Sequence, residues 1–191
     1  MAEPLALIRP VFARHGMSLA RLDEVLEDGF TTHRLTGPWR PDQVVLLISE
    51  AAGEDPFRLE VQIDIPVASE PEAEDGLPAI VDPDTVVRML LINCRDAVEA
   101  FFEEAPADGE LLDPDASGSY GRRVPLDGLT ETVLIMLHVG CDVAREDLAE
   151  GLPQAAELLC AVLATLRADT PFLDGAPNRA ERRRSGGRRR R

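Results

Sequence analysis

Residues 57–67 carry the clearest pattern in the chain. Phe57, Leu59, Val61, Ile63, Ile65 and Val67 alternate with Arg58, Glu60, Gln62, Asp64 and Pro66. A strict period of two predicts a strand with one buried and one wet face. Pro66 lacks an amide hydrogen, which places that end at a ladder terminus or an edge. Two shorter strands are predicted before it. Residues 30–35 are rich in Thr, Phe and His, and residues 42–49 set Val44, Leu46 and Ile48 on one side. Thr36-Gly37-Pro38 and residues 52–56 supply the turns, so the three strands read as an antiparallel meander.

Helical spacing brackets this meander. Leu5, Leu7, Ile8, Val11 and Phe12 predict a helix over residues 4–15, stopped by Gly16, with Pro10 setting off or kinking its first turn. Ser18 reads as the cap of a short second helical turn bearing Leu19, Leu22 and Leu26. After the meander, Asp82-Pro83-Asp84 is a helix start, with a good cap, a proline at the first position and an acid that complements the dipole. Val87, Leu90, Cys94, Val98 and Phe101 then form one stripe, widened by Leu91, Ala97 and Phe102, until Pro106. Residues 110–126 are irregular, with a strand read only over 120–126. Residues 130–139 alternate through Val133, Ile135, Leu137 and Val139. A last helix runs over about 145–167, split at Gly151 and Pro153, with Leu158, Leu159, Val162, Leu163 and Leu166 as its apolar face.

The expected architecture is therefore α+β. It is a five-stranded antiparallel sheet packed by the helices of residues 83–104 and 153–168, in the order α-β-β-β-α-β-β-α. One domain spans residues 1–170 and contains an acidic loop at about 68–80. Residues 171–191 form a disordered tail, because nothing in them can bury itself.

Charge sharpens the picture at the C-terminal end. The last fifteen residues hold eight arginines against Glu181 alone, about +7, while the preceding 176 carry about −22. All twenty basic residues are arginine. Arg182, Arg183, Arg184, Arg188, Arg189, Arg190 and Arg191 form a polyanion-binding arm. Four readings stay open: weak RNA or DNA contact without sequence choice, the chain's own acidic body, an acidic protein, or an unselected end; affinity for any polyanion should fall steeply with salt. Aromatic residues are 4% of the chain, which argues against a base-stacking surface.

No catalytic residue, cofactor or metal site is predicted. Asp113-Pro114-Asp115-Ala116-Ser117-Gly118 matches the first half of a calcium loop. The twelfth position is Val124 where a bidentate glutamate is needed, so the segment reads as an Asx-rich turn. His138 and Cys141 are half a metal site without a second pair, and a Cys–His nucleophile would lack an orienting third group. Cys94 and Cys160 lie in apolar helical stretches and read as small core residues. No long apolar run and no signal peptide is readable, so a cytoplasmic chain without membrane contact is expected.

Several segments resemble the small chaperones of type III secretion systems and the related YbjN-type proteins. Residues 14–19 (Arg-His-Gly-Met-Ser-Leu), with Leu22-Asp23-Glu24 and Glu27-Asp28-Gly29, are similar to that family's passage from first helix to first strand. Residues 109–118 are similar to its turn-rich entry into the fourth strand, and Val124-Pro125-Leu126 and the helix through 159–166 to the later segments of its fold. The resemblance covers residues 4–168. It implies a small acidic protein, often a homodimer, that holds a partner polypeptide on an apolar surface. The acidic loop and the arginine tail depart from the family's pattern. Trp39, Leu46, Phe57 and Leu59, on or beside strands read as exposed, are the candidate partner contacts.

Overall fold

A computed structural model describes residues 3–22, 29–39, 43–49, 56–68, 82–104, 111–123 and 132–169. The acidic segment 69–81 and the tail 170–191 lie outside the described residues. Three α-helices, α1 (Pro4–Arg14), α2 (Pro83–Glu104) and α3 (Leu148–Asp169), accompany six strands. The strands are β1 (Ser18–Arg21), β2 (Phe30–Thr36), β3 (Val44–Ser49), β4 (Phe57–Ala68), β5 (Leu112–Arg123) and β6 (Thr132–Val143). All pair antiparallel, in the order β1-β2-β3-β4-β6-β5. The class is α+β as expected, with six strands in place of five.

The extra strand is β1, where the sequence predicts a helical turn capped by Ser18. The reason lies at the end of α1. Gly16 takes φ +73°, its N–H bonds to Ala13 O, and the Met17 N–H reaches back to Phe12 O at 2.9 Å. This pair of bonds around a left-handed glycine closes the helix and reverses the chain. The chain leaves extended, and Leu19 pairs with Leu35 across the β1–β2 ladder. Pro10 does not set off the first turn, and α1 is one helix of eleven residues.

The β4–β6 ladder is the centre of the fold, with twelve residue pairs from Phe57↔Val143 to Ala68↔Thr132. Its odd positions face the helices. Leu59, Val61, Ile63, Ile65, Ile135, Leu137, Val139 and Cys141 are all fully buried there. α3 lies between α1 and α2 on this face and is enclosed along its length. Leu152, Ala155, Ala156, Leu158, Leu159, Cys160, Val162, Leu163 and Leu166 are all buried.

Two further expectations are corrected by the structure. Gly151 and Pro153 do not split the last helix. A 3-10 turn at Arg145–Asp147 leads directly into α3, and Pro153 lies within its second turn. Gly151 is set by packing: a Cβ there would run into Cγ1 of Val143 on β6. Gly→Ala inside a helix ordinarily gains about 1 kcal/mol. Here the methyl has no room, so Gly151→Ala is expected to destabilise by about 1–2 kcal/mol, the cost of overpacking outweighing propensity. Urea unfolding at pH 7 checks the sign.

Residues 113–118 are strand, not turn. Asp113, Asp115, Ser117 and Ser119 occupy one face of β5, and Pro114, Ala116, Gly118 and Tyr120 the face toward the helices. The strand is at the sheet's edge, where a proline is tolerated. Gly118 also lets α2 approach, since a Cβ would lie 2.9 Å from Val87 Cγ1.

Candidate functional site

Three places bear on function, and two of them hold side chains singled out from sequence. Trp39, Leu46, Phe57 and Leu59 are all buried in the core. Period two puts Leu46, Phe57 and Leu59 on the helix side of β3 and β4. The Trp39 indole folds back over Gly37, and its Nε1–H donates to Leu35 O at 2.9 Å. Trp39 locks the turn after β2. The arginines at 182–191 lie outside the described residues.

His138 and Cys141 are three residues apart on one strand, so they project to opposite faces. Cys141 is buried beneath the helices, and its thiol is pushed up to about 12, first by burial and then by Asp142. Burial also raises Cys94 and Cys160 to about 12. All three cysteines are free, buried and protonated at neutral pH, the opposite of an activated nucleophile.

His138 belongs to a charge cluster on the face away from the helices. Its Nδ1 lies 2.7 Å from Glu60 Oε1. An ionised carboxylate only accepts, so that nitrogen carries the proton. Arg58 approaches the other oxygen of Glu60 at 2.8 Å, Asp115 at 2.7 Å and Asp142 at 3.3 Å. These residues come from β4, β5 and β6, and Arg58 crosses between them over Gly140, where any Cβ would overlap the guanidinium. Glu60 is only 6% exposed. Burial acts to raise its pKa, but the bonds from His138 and Arg58 outweigh it and hold the carboxyl below its ordinary value. Ser117 stands opposite His138 on β5. The cluster ties β4, β5 and β6 together across the sheet.

The third place is the flank formed by α2 and β5, which sequence reasoning did not single out. β5 is an edge strand, and α2 runs beside it: Tyr120 Oη donates to Asp84 Oδ2 at 3.5 Å, and Val87 meets Gly118. Between them opens a groove of about 370 Å³. Leu91, Ile92, Val98, Pro114 and Ala116 make it apolar, and Arg95 and Asp115 give it one charge of each sign. The large apolar side chains that stand exposed among the described residues all belong to α2 or β5: Met89 at 54%, Ile92 at 48% and Tyr120 at 44%. The signal was present in the sequence, because Met89 and Ile92 lie off the Val87–Leu90–Cys94 stripe of α2.

No protein-family model, no curated protein and no solved structure matches the chain. Among the described residues, no helix is long and apolar enough to cross a membrane.

Proposed function

We propose that this chain is a non-enzymatic, chaperone-like protein-binding module. It captures an extended segment of a partner polypeptide in the groove between α2 and β5. The carrying observation is the apolar groove itself, where exposed Ile92 stands with Leu91, Val98, Pro114 and Ala116 beside a strand whose outer edge is unpaired in the sheet order. Exposed apolar surface collected in one place marks an interaction site, whereas scattered apolar residues do not. An extended segment can gain main-chain bonds from an open edge and specificity from side-chain pockets. The acidic body keeps such a complex soluble and disfavours other acidic proteins. The resemblance to the small secretion chaperones supports the same reading, including a homodimer, because the sheet has two open ends.

A photo-crosslinker at position 92 of the full-length chain tests it in the native cell. The reading expects one discrete polypeptide, recovered from position 92 and not from a crosslinker at Arg34, which is exposed at the other end of the sheet. Equal recovery from both positions would end it. With that partner purified, Ile92→Asp should weaken binding at least tenfold, about 1.4 kcal/mol. Stability should be unchanged, because Ile92 is exposed.

A second reading rests on the sequence split between acidic body and arginine tail: an accessory protein that touches RNA or DNA through Arg182–Arg184 and Arg188–Arg191. Removing residues 177–191 separates the two. Retention of nucleic acid at low salt would vanish with the tail, while capture at the α2–β5 flank would survive.

A further inference from the structure

The helix-side face of the sheet is apolar across β3, β4 and β6 but turns polar at its β1–β2 end. Arg21 of β1, His33 of β2 and Leu46 of β3 stand in one row across the ladder on that face. A pocket of about 380 Å³ opens there under the start of α1. His33 is 3% exposed, and neither of its ring nitrogens has a hydrogen-bond partner among the described residues. Arg9, from α1, and Arg21 line the same pocket, and neither guanidinium has an ion-pair partner among the described residues. Leu5, Ile48 and Phe57 form its apolar walls.

We propose that this pocket is a binding site for a monoanionic carboxylate carried on an apolar body. A buried polar side chain without a partner is rare in folded proteins and asks for an occupant. Two unpaired guanidiniums beside it supply charge-assisted donors of the geometry a carboxylate takes. The apolar walls accept the body behind the charged end, as in most small-ligand pockets. Glu3 also lines the pocket and opposes a second negative charge, which favours a carboxylate over a phosphate dianion. Burial first, then the fields of Arg21 and Arg9, hold the His33 pKa below its ordinary value. The ring is therefore neutral at pH 7 and can give its single N–H to the ligand without carrying a charge of its own. The carboxylate can come from a free alkyl acid or from a glutamate side chain on an extended peptide beside β1, the strand at this end of the sheet. The site lies at the opposite end of the sheet from the α2–β5 flank and does not rest on that reading.

The test follows the histidine ring ¹⁵N resonances of the full-length chain, with His33 assigned from the spectrum lost in His33→Gln. Hexanoate and the blocked peptide acetyl-Thr-Val-Glu-Val-Thr-amide are titrated against their uncharged twins, hexanamide and the Gln peptide. A saturable shift at His33 with a carboxylate, at least tenfold weaker with its twin, is expected. The Arg9→Gln/Arg21→Gln double variant should lose at least tenfold of that binding. Both side chains are exposed, so this variant keeps the fold even if His33→Gln does not. Tighter binding of hexanoate than of the Glu peptide assigns a free acid, and the reverse order assigns a peptide. Absence of a saturable shift with both carboxylates, equal binding of the uncharged twins, or tighter binding of inorganic phosphate than of either carboxylate would each overturn the proposal.

Discussion

Arg58→Ala is expected to lower the unfolding free energy by about 2–3 kcal/mol at pH 7, below the 3–5 of a fully buried pair because Asp115 is solvent-screened. Arg58 is the cation that faces Glu60, Asp115 and Asp142. Without it, the nearly inaccessible Glu60 keeps only His138, and three carboxylates on adjacent strands repel. The effect has a defined pH dependence. The Glu60 pKa is lower in the fold than its ordinary 4.5. The stabilisation is therefore fully present above about pH 4.5 and is lost as pH falls through the lower folded value. The gap between wild type and variant should shrink across that window in urea unfolding curves. A gap that stays constant from pH 7 to pH 3 would mean that Arg58 acts through its aliphatic stem. Gly140→Ala should couple to this change, since its methyl overlaps the guanidinium. In a double-mutant cycle the two losses should fall well short of additive.

Leu159→Ala is expected to cost about 3 kcal/mol, within the 2–5 range of leucine truncations in packed interiors. α3 has the sheet beneath it and a helix on either side, so the lost volume has little freedom to collapse. Ile92→Ala on α2 is the control. The truncation is similar, but the side chain is half-exposed and its loss should stay within about 0.5 kcal/mol. Thermal unfolding of the two variants separates them. Near-equal losses would show that α3 is not the enclosed element of the core.

The parts of this fold that can be read in advance share one property: a period sustained over many residues. β4, β6 and the stripe of α2 are legible because each buries one face against a long partner. β1 is not, because four residues are too few to show alternation, and Leu19, Leu22 and Leu26 imitate a helix. β5 is hidden by its composition. Asp, Pro, Ser and Gly are turn formers, but an edge strand with a wet outer face can carry them. Gly151 and Pro153 look like punctuation in sequence, and only the approach of Val143 reveals why Gly151 is there. The burial of the candidate contacts is hidden for a related reason. Alternation puts Leu46, Phe57 and Leu59 on one face of their strands, but it does not say that helices cover that face. The unpaired histidine of the β1–β2 end is equally invisible in sequence, since its meaning depends on Arg9 and Arg21 arriving from other elements.

The placement of β6 between β4 and β5 bears on how the chain is made. Everything up to Arg123 leaves the ribosome as a four-stranded meander, two helices and a separate ribbon that has nothing to pair with. Only residues 132–169 supply the strand that joins the two pieces and the helix that seals them. Nascent chains should therefore stay open to protease until α3 clears the exit tunnel, and then become resistant in a single step.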